Sequence, residues 1–362
     1  MTIRYGLIGT GMMGQEHIRN ILLIDGVEVV ALTDPDEGML ELANGLLGGR
    51  AQTFTDHHTM LAADVCDAYV IVAPNDTHQS LLLDVLPTDK PILCEKPLCT
   101  TAQGCRTVIA AAKDRAAPIW VAMEYRYMPP IQQLMAAQEK GYVGVPRMMA
   151  IREHRFPFLT KVGDWNRFNI RTGGTLVEKC CHFWDLMRLV LRSDPVRVYA
   201  SAGVDVNHLD EQYDGQTPDI IDNAFVIVDF RNGARGMLDL CMFAEGSYWQ
   251  EVVSLTGAKG RIDARIPGPA RFSKDGKERR SQLVISERSS KQQIKQDVEV
   301  DETILAAGDH HGSTYYQHQK FLQLVKTGIG EPEVTIEDAL WSVRVGEAAE
   351  LSARTGLAVA LD

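Results

Sequence analysis

The chain has 362 residues, 45% hydrophobic and 23% charged, with a formal net charge of −11 at pH 7. That length suits two domains, and the composition is that of an ordinary globular protein able to bury a core. The acidic balance argues against nucleic-acid and anionic-membrane partners, which select basic surfaces, and no apolar run approaches the ~20 residues that span a bilayer.

Residues 1–123 alternate short β-branched runs with amphipathic stretches, the pattern of βαβ units around a parallel sheet. The expected strands are Ile3–Ile8, Val27–Thr33, Ala68–Val72, Ile92–Cys94 and Ile119–Met123, with helices such as Met13–Ile24 and Ala102–Lys113 between them. Directly behind the first strand stands "GTGMMG", a G-x-G-x-x-G spacing that means little alone. A strand before Gly9, a helix pattern after Gly14 and an acid, Asp34, ending the next strand turn it into a dinucleotide signature. Gly9 permits the tight turn, Gly11 lets a pyrophosphate approach the backbone, and Gly14 brings helix and strand together. Thr10, Met12 and Met13 complete the loop, and the helix N-terminus offers N–H groups to phosphates. Asp34 suits ribose hydroxyls. With Asp36 and Glu37 beside it and no arginine, it repels the extra phosphate of NADP, so NAD is preferred over NADP.

"CEKP" (Cys94 to Pro97) follows a buried strand at the carboxyl edge of the sheet, the rim where α/β domains bind ligands. Lys96 there either points towards the nicotinamide or is an ordinary exposed loop lysine. The texture changes near "YRYMPP", and residues 124–362 are read as a second, α+β domain for substrate and oligomerisation. Strands dominate from Val145 to Asp301, interrupted by one strong helix at about Leu176–Leu191. Two later helices, near His318–Val325 and Ile336–Leu351, are expected to pack back on the first domain. The fold expected is therefore a doubly wound Rossmann domain followed by a large, mostly antiparallel, open-faced sheet. The locally basic segment 271–295 carries acids as well and reads as a solvated edge hairpin.

In "GGTLVEKCCHFWD" (173–185) a helix would place Glu178, His182 and Asp185 on one face, opposite the apolar Leu176, Cys180, Phe183 and Met187. The polar face is either the wall of a site or the by-product of a Thr175-x-x-Glu178 capping box. Lys96 and a nicotinamide site together favour the first. Oxidising an alcohol by hydride transfer requires removal of the hydroxyl proton, which suits a histidine, and an ammonium can stabilise the alkoxide. In "DWNRF", Trp165, Asn166 and Arg167 suit either a sugar ring or loop packing. His310 or His311 can reach substrate from the C-terminal segment. Cys180 and Cys181 point in different directions from a helix and have no second ligand cluster, so no metal is expected. Seven cysteines without CxxC pairs read as reduced thiols. The first strand at Ile3 leaves no room for a signal peptide, and a cytoplasmic protein is expected.

The motifs "GLIGTGMMGQEHIRN", "APNDTHQ", "CEKP", "YRYMP", "GGTLVEKCCHFWDL" and "HHGSTYYQHQKFL", in this order, resemble the Gfo/Idh/MocA oxidoreductase family over nearly the whole chain. The resemblance implies an active site between the domains, with Lys96 and His182 as the proton-handling pair. Glu178 stands where relatives usually carry aspartate, a residue that contacts substrate hydroxyls or orients the histidine. Pro74, Asn75 and His78 match positions near the nicotinamide ribose. Glu95, which precedes the lysine, Lys96 itself and Arg126 are expected at the cofactor, and Tyr127 lines the cleft on its substrate side. The expected activity is NAD-dependent oxidation of a secondary hydroxyl of a sugar, a polyol such as inositol, or a glycoside. Lys96, Tyr127, Trp165, Arg167, Glu178, His182 and His311 are the expected substrate contacts. The alternatives are an NAD-dependent redox-elimination glycosidase and a non-catalytic dinucleotide-sensing regulator. The helix motif matches such glycosidases poorly, and retention of Lys96 and His182 counts against the regulator. Relatives commonly assemble through the open sheet face, implying a homodimer or homotetramer.

Overall fold

A computed structural model describes residues 2–361. The first sheet comprises β1 (Ile3–Ile8), β2 (Val27–Thr33), β3 (Gln52–Phe54), β4 (Ala68–Ile71), β5 (Ile92–Cys94) and β6 (Ile119–Val121). Its order is β3-β2-β1-β4-β5-β6, all parallel. Strand β4 is buried along its whole length and β1 nearly so, because helices cover both faces of the sheet. The order reverses between β1 and β4, which opens a crevice at their carboxyl ends. The chain delivers Gly9, Pro74, Asn75 and Lys96 to this one rim, behind β1, β4 and β5. Strand β3 was not expected. At three residues, two of them exposed, it is too short to show a period.

The second sheet contains β7 (Pro146–His154), β8 (Pro195–Gly203), β9 (Asn223–Phe230), β10 (Arg235–Cys241), β11 (Trp249–Gly257), β12 (Gly260–Pro267), β13 (Ser281–Glu287), β14 (Gln293–Val298) and β15 (Val359–Ala360). Its order is β14-β13-β12-β11-β7-β10-β9-β8-β15, antiparallel except for β7 beside β10. Strict alternation on β9 sends Ala224, Val226, Val228 and Phe230 inward and leaves Phe225 and Ile227 exposed. Strands β13 and β14 form the expected edge hairpin, and the outer strand is polar and exposed over most of its length.

Two apolar cores flank the crevice. The first-sheet core includes Phe321, Leu322, Leu324, Ala339 and Val343, so helices Ser313–Thr327 and Ile336–Thr355 return to the first domain. The second core takes Leu176, Cys180, Phe183 and Met187, while Val177 and Cys181 reach the first. The segment 175–191 is thus wedged between the cores. It is not the single helix expected. It consists of a turn, Thr175–Glu178, and a helix, Cys181–Leu191, separated by Lys179 and Cys180. No described helix is long and apolar enough to cross a membrane.

Candidate active site

The glycine loop separates into two backbone requirements and one open space. Gly9 has φ +98, and a Cβ there would lie 2.4 Å from the Val72 carbonyl oxygen. At Gly14 a Cβ would lie 2.4 Å from the Gly9 oxygen, whereas at Gly11 it would meet nothing within 4 Å. The helix Met12–Ile21 begins at Gly11 with no side-chain cap, leaving its first N–H groups for an anion. Asp34 clamps the loop. Its Oδ2 accepts from Thr10 N at 2.8 Å and Thr10 Oγ1 at 3.1 Å, and its Oδ1 accepts from Asp36 N at 3.0 Å. A carboxylate has about four acceptor directions, so capacity remains for hydroxyls. On the same rim the buried Asn75 Nδ2 has no partner, an orphaned donor that a bound dinucleotide would satisfy. Met13 packs on the core and Met12 is exposed. His78 places its ring nitrogens on the Pro97 and Ala73 carbonyls, at 2.8 and 2.9 Å, and so ties the two rim loops together.

Lys96 reaches across the crevice to the wedge. Its Nζ donates to the Glu178 carbonyl at 3.2 Å and lies 3.6 Å from Glu178 Oε1. Burial opposes the ammonium charge, but Glu178 together with Cys181, Glu95 and Glu124 outweighs burial and holds the amine above the ordinary lysine range. Burial likewise opposes the Glu178 carboxylate, and Lys96, Lys161 and Lys179 hold it ionised. His182 is buried and bonds through neither ring nitrogen, and Nδ1 is fully shielded. Burial first, and the Lys96 ammonium second, push its pKa well below the histidine range. A charged amine therefore stands beside a neutral imidazole. Glu178 Oε2 is buried and unpartnered as well, so two acceptors await hydroxyl donors.

The capping-box reading does not hold. The Thr175 hydroxyl donates to the Ile221 carbonyl at 2.6 Å, and the Leu176 N–H is taken by Glu350 Oε1 at 3.0 Å from the C-terminal helix. Glu178 is thereby released to face Lys96.

Behind the pair lie supporting groups. Glu95 accepts from Lys96 N at 3.1 Å and meets His17 Nε2 at 2.9 Å, and His17 Nδ1 meets His318 Nε2 at 2.8 Å. A carboxylate can only accept, so His17 Nε2 carries the proton there. Both oxygens of Glu95 are thus engaged in positioning the lysine loop. On the other side Lys179 Nζ lies 2.9 Å from Glu153 Oε1 and donates to Tyr125 Oη at 2.5 Å, while the Tyr125 ring stacks on His182. His310 Nδ1 lies 2.8 Å from Glu16 Oε1 and 3.6 Å from Glu124 Oε1.

Several expected contacts lie elsewhere. Arg126 forks onto Asp185 at 2.5 and 2.6 Å and also holds Asp338 and the Glu333 carbonyl, so its guanidinium ties the turn after β6 to the wedge and to the C-terminal segment. Asp185 leaves the Glu178–His182 wall to meet it. Tyr127 packs in the first-sheet core near Trp120. Arg167 pairs with Glu211 at 2.8 Å, and Asn166 bonds the Leu159 carbonyl at 2.9 Å, both knitting their loop. Trp165 is buried beneath the Lys161 ammonium. His311, at φ +51, turns to the Pro267 carbonyl at 2.9 Å, and its neighbour His310 is the one that faces the site. Sequence reasoning missed Tyr125, Lys161, Lys179 and His310's carboxylate partners. Lys179 did carry a signal, since a lysine in an otherwise apolar buried segment requires an acid nearby.

Comparisons with known proteins agree with this fold. The oxidoreductase-family model for the Gfo/Idh/MocA NAD-binding Rossmann fold matches residues 3–123, and that for its C-terminal alpha/beta domain matches residues 139–361. An inositol 2-dehydrogenase of Pseudomonas fluorescens is 28% identical over 272 residues, covering 74% of this chain and 75% of that protein. A myo-inositol 2-dehydrogenase of Thermotoga maritima is 28% identical over 264 residues, covering 72% and 75%. A levoglucosan dehydrogenase solved with NADH and levoglucosan superposes with a TM-score of 0.82 at 18% identity, covering 99% of each chain. The chain belongs to the Gfo/Idh/MocA family of NAD-binding oxidoreductases.

Proposed function

We propose that this protein oxidises a secondary hydroxyl of a polyol or sugar, with His182 as the base and Lys96 as the electrostatic partner of the reacting oxygen. The observation that carries the reading is the Lys96–Glu178 contact of 3.6 Å beside an imidazole with no partner of its own. NAD, when bound, accepts the hydride released from the carbinol carbon. The chain's own residues do the rest. His182, neutral at physiological pH, takes the hydroxyl proton, and the ammonium of Lys96 stabilises the negative charge left on that oxygen. Glu178 accepts from a neighbouring hydroxyl through its free Oε2 and holds Lys96 in place. Asp34 and Asn75 hold the dinucleotide, and Asp34 selects NAD over NADP by charge. The inositol dehydrogenases at 28% identity support the polyol class.

The outer sheet face supports assembly into a homodimer or homotetramer. Tyr199, Ile227 and Met237 stand in register across β8, β9 and β10, all exposed, with Phe225 and Met148 near them. The free thiols are compatible with a reducing, cytoplasmic setting.

The experiment is a screen of purified protein with NAD against polyols, monosaccharides and glycosides, following absorbance of the reduced cofactor. Stoichiometric NADH from a polyol or sugar supports the reading. Glycoside cleavage without NADH overturns it.

A further inference from the structure

The segment 155–168, which leaves β7 and leads back to the wedge, brings a second lysine to the site. Lys161 Nζ lies 4.6 Å from the centroid of the Trp165 ring and makes no hydrogen bond or ion pair with any described residue. Burial lowers its pKa, and the charged groups that act on it are Glu178, Lys96, Glu95 and Arg155, which puts this amine among the charges around Lys96 and Glu178.

The charges there do not balance. Lys96, Lys161, Lys179 and Arg155 all act on Glu178. Glu178 is the partner of Lys96 at 3.6 Å. Lys179 and Arg155 share Glu153, at 2.9 and 3.4 Å. Burial and the facing Glu153 push Glu251 towards its neutral form. Glu95 is tied to His17. Of these four cations Lys161 alone makes no ion pair with a described acid. A partly desolvated ammonium in that position is costly unless an anion arrives with the substrate.

We propose that the substrate of this site is a hydroxy acid of the sugar series, an aldonate or uronate, whose carboxylate binds Lys161 while its secondary hydroxyl meets His182 and Lys96. This inference rests on the oxidation reading above and narrows its substrate class. One unpaired ammonium matches one monoanionic carboxylate. A phosphate dianion would need further donors, and Arg155, another cation that acts on Lys161, is engaged by Glu153 and by the Phe156 carbonyl.

The test uses matched pairs: gluconate with glucitol, galacturonate with galactose, and the corresponding sugar phosphates, each with saturating NAD. The acid of a pair is expected to exceed its neutral partner in kcat/KM by about 10-fold or more, the scale of a charge-assisted contact. Lys161→Met should collapse that ratio towards one, acting mainly through KM, and Lys161→Arg should retain most of it. NAD titration of both variants reports that they fold. Calorimetry of gluconate and galacturonate binding to the NAD-loaded protein gives a readout independent of turnover, with binding expected in the wild type and lost in Lys161→Met. Neutral members favoured, phosphates favoured, or a ratio that survives Lys161→Met would each overturn the inference. Neutral polyols oxidised while acids neither bind nor react would sink it and leave the oxidation reading standing. Acid binding that depends on Lys161 without any NADH would uphold the anion site and sink the oxidation reading.

Discussion

The rings of Tyr125 and His182 stack with 4.1 Å between centroids and 10° between planes. Tyr125 comes from the segment leaving β6, and His182 opens the helix of the wedge, so the stack joins two separate parts of the chain. Lys179 pins the tyrosine hydroxyl from behind. The imidazole, which has no hydrogen bond of its own, takes its orientation from this ring. Removing the ring should therefore misplace the base. Tyr125→Leu is expected to lower kcat by roughly 10- to 100-fold, with Tyr125→Phe much closer to wild type. Steady-state kinetics alongside NAD titration separate this from a cofactor effect, and equal losses in the two variants would point to the hydroxyl instead.

The pH profile follows from the same burial. Because the pKa of His182 is depressed, its neutral, base-competent form persists as pH falls through the ordinary histidine value of about 6.5. The acid limb of kcat/KM should lie below that value. A limb at or above it would mean that another group titrates.

Stability should respond to pH in two directions. His182, His311 and His318 are neutral in the fold, with His311 lowered to about 4 chiefly by burial. Below about pH 6.5 the unfolded chain takes up protons that these sites refuse, so their contribution is intact above 6.5 and lost as pH falls towards 4. His310 behaves oppositely. Burial lowers its pKa, but Glu124 and Glu16 outweigh burial and raise it to about 9, so its contribution is intact below 6.5 and lost as pH rises through 9. Thermal midpoints across this range should fall at both ends. His310→Ala should flatten the alkaline limb only, and a change confined to the acid limb would reverse the assignment.

Cofactor choice is a separate matter of charge. Wild-type protein should bind NAD at least about 10-fold more tightly than NADP. Asp34→Ala should narrow that ratio and also weaken NAD, because the carboxylate holds Thr10 of the loop. Fluorescence titration with both cofactors measures it. An unchanged ratio would remove Asp34 from cofactor selection.

The legible and illegible parts of this chain differ in physical kind. Buried parallel strands are nearly continuous apolar runs, so β1, β2 and β5 were delimited residue for residue, whereas the three-residue β3 left no period to read. Gly9 and Asp34 stand out by spacing, whereas Lys96 and Glu178 each leave a second reading open until the motifs are taken together. Pairings over long sequence separations did not. Arg126 meets Asp185 59 residues away, and Glu350 caps Leu176 from 174 residues away, undoing a local capping box that looked sound. His310 and His311 are neighbours, yet one ring meets Glu16 and the other the Pro267 carbonyl, and no sequence pattern marks the positive φ at His311 between them. Lys161 sits in an irregular loop where no pattern marks a function.

The central claim is that the amine of Lys96 acts on the reacting oxygen rather than on cofactor binding. Kinetics of Lys96→Met with the best substrate of the screen, paired with NAD titration of the same variant, tests it most directly. The expected result is a fall in kcat of at least about 100-fold with the NAD dissociation constant within about threefold of wild type. Turnover within about threefold of wild type, with NAD binding intact, would contradict the role of this lysine in the chemistry.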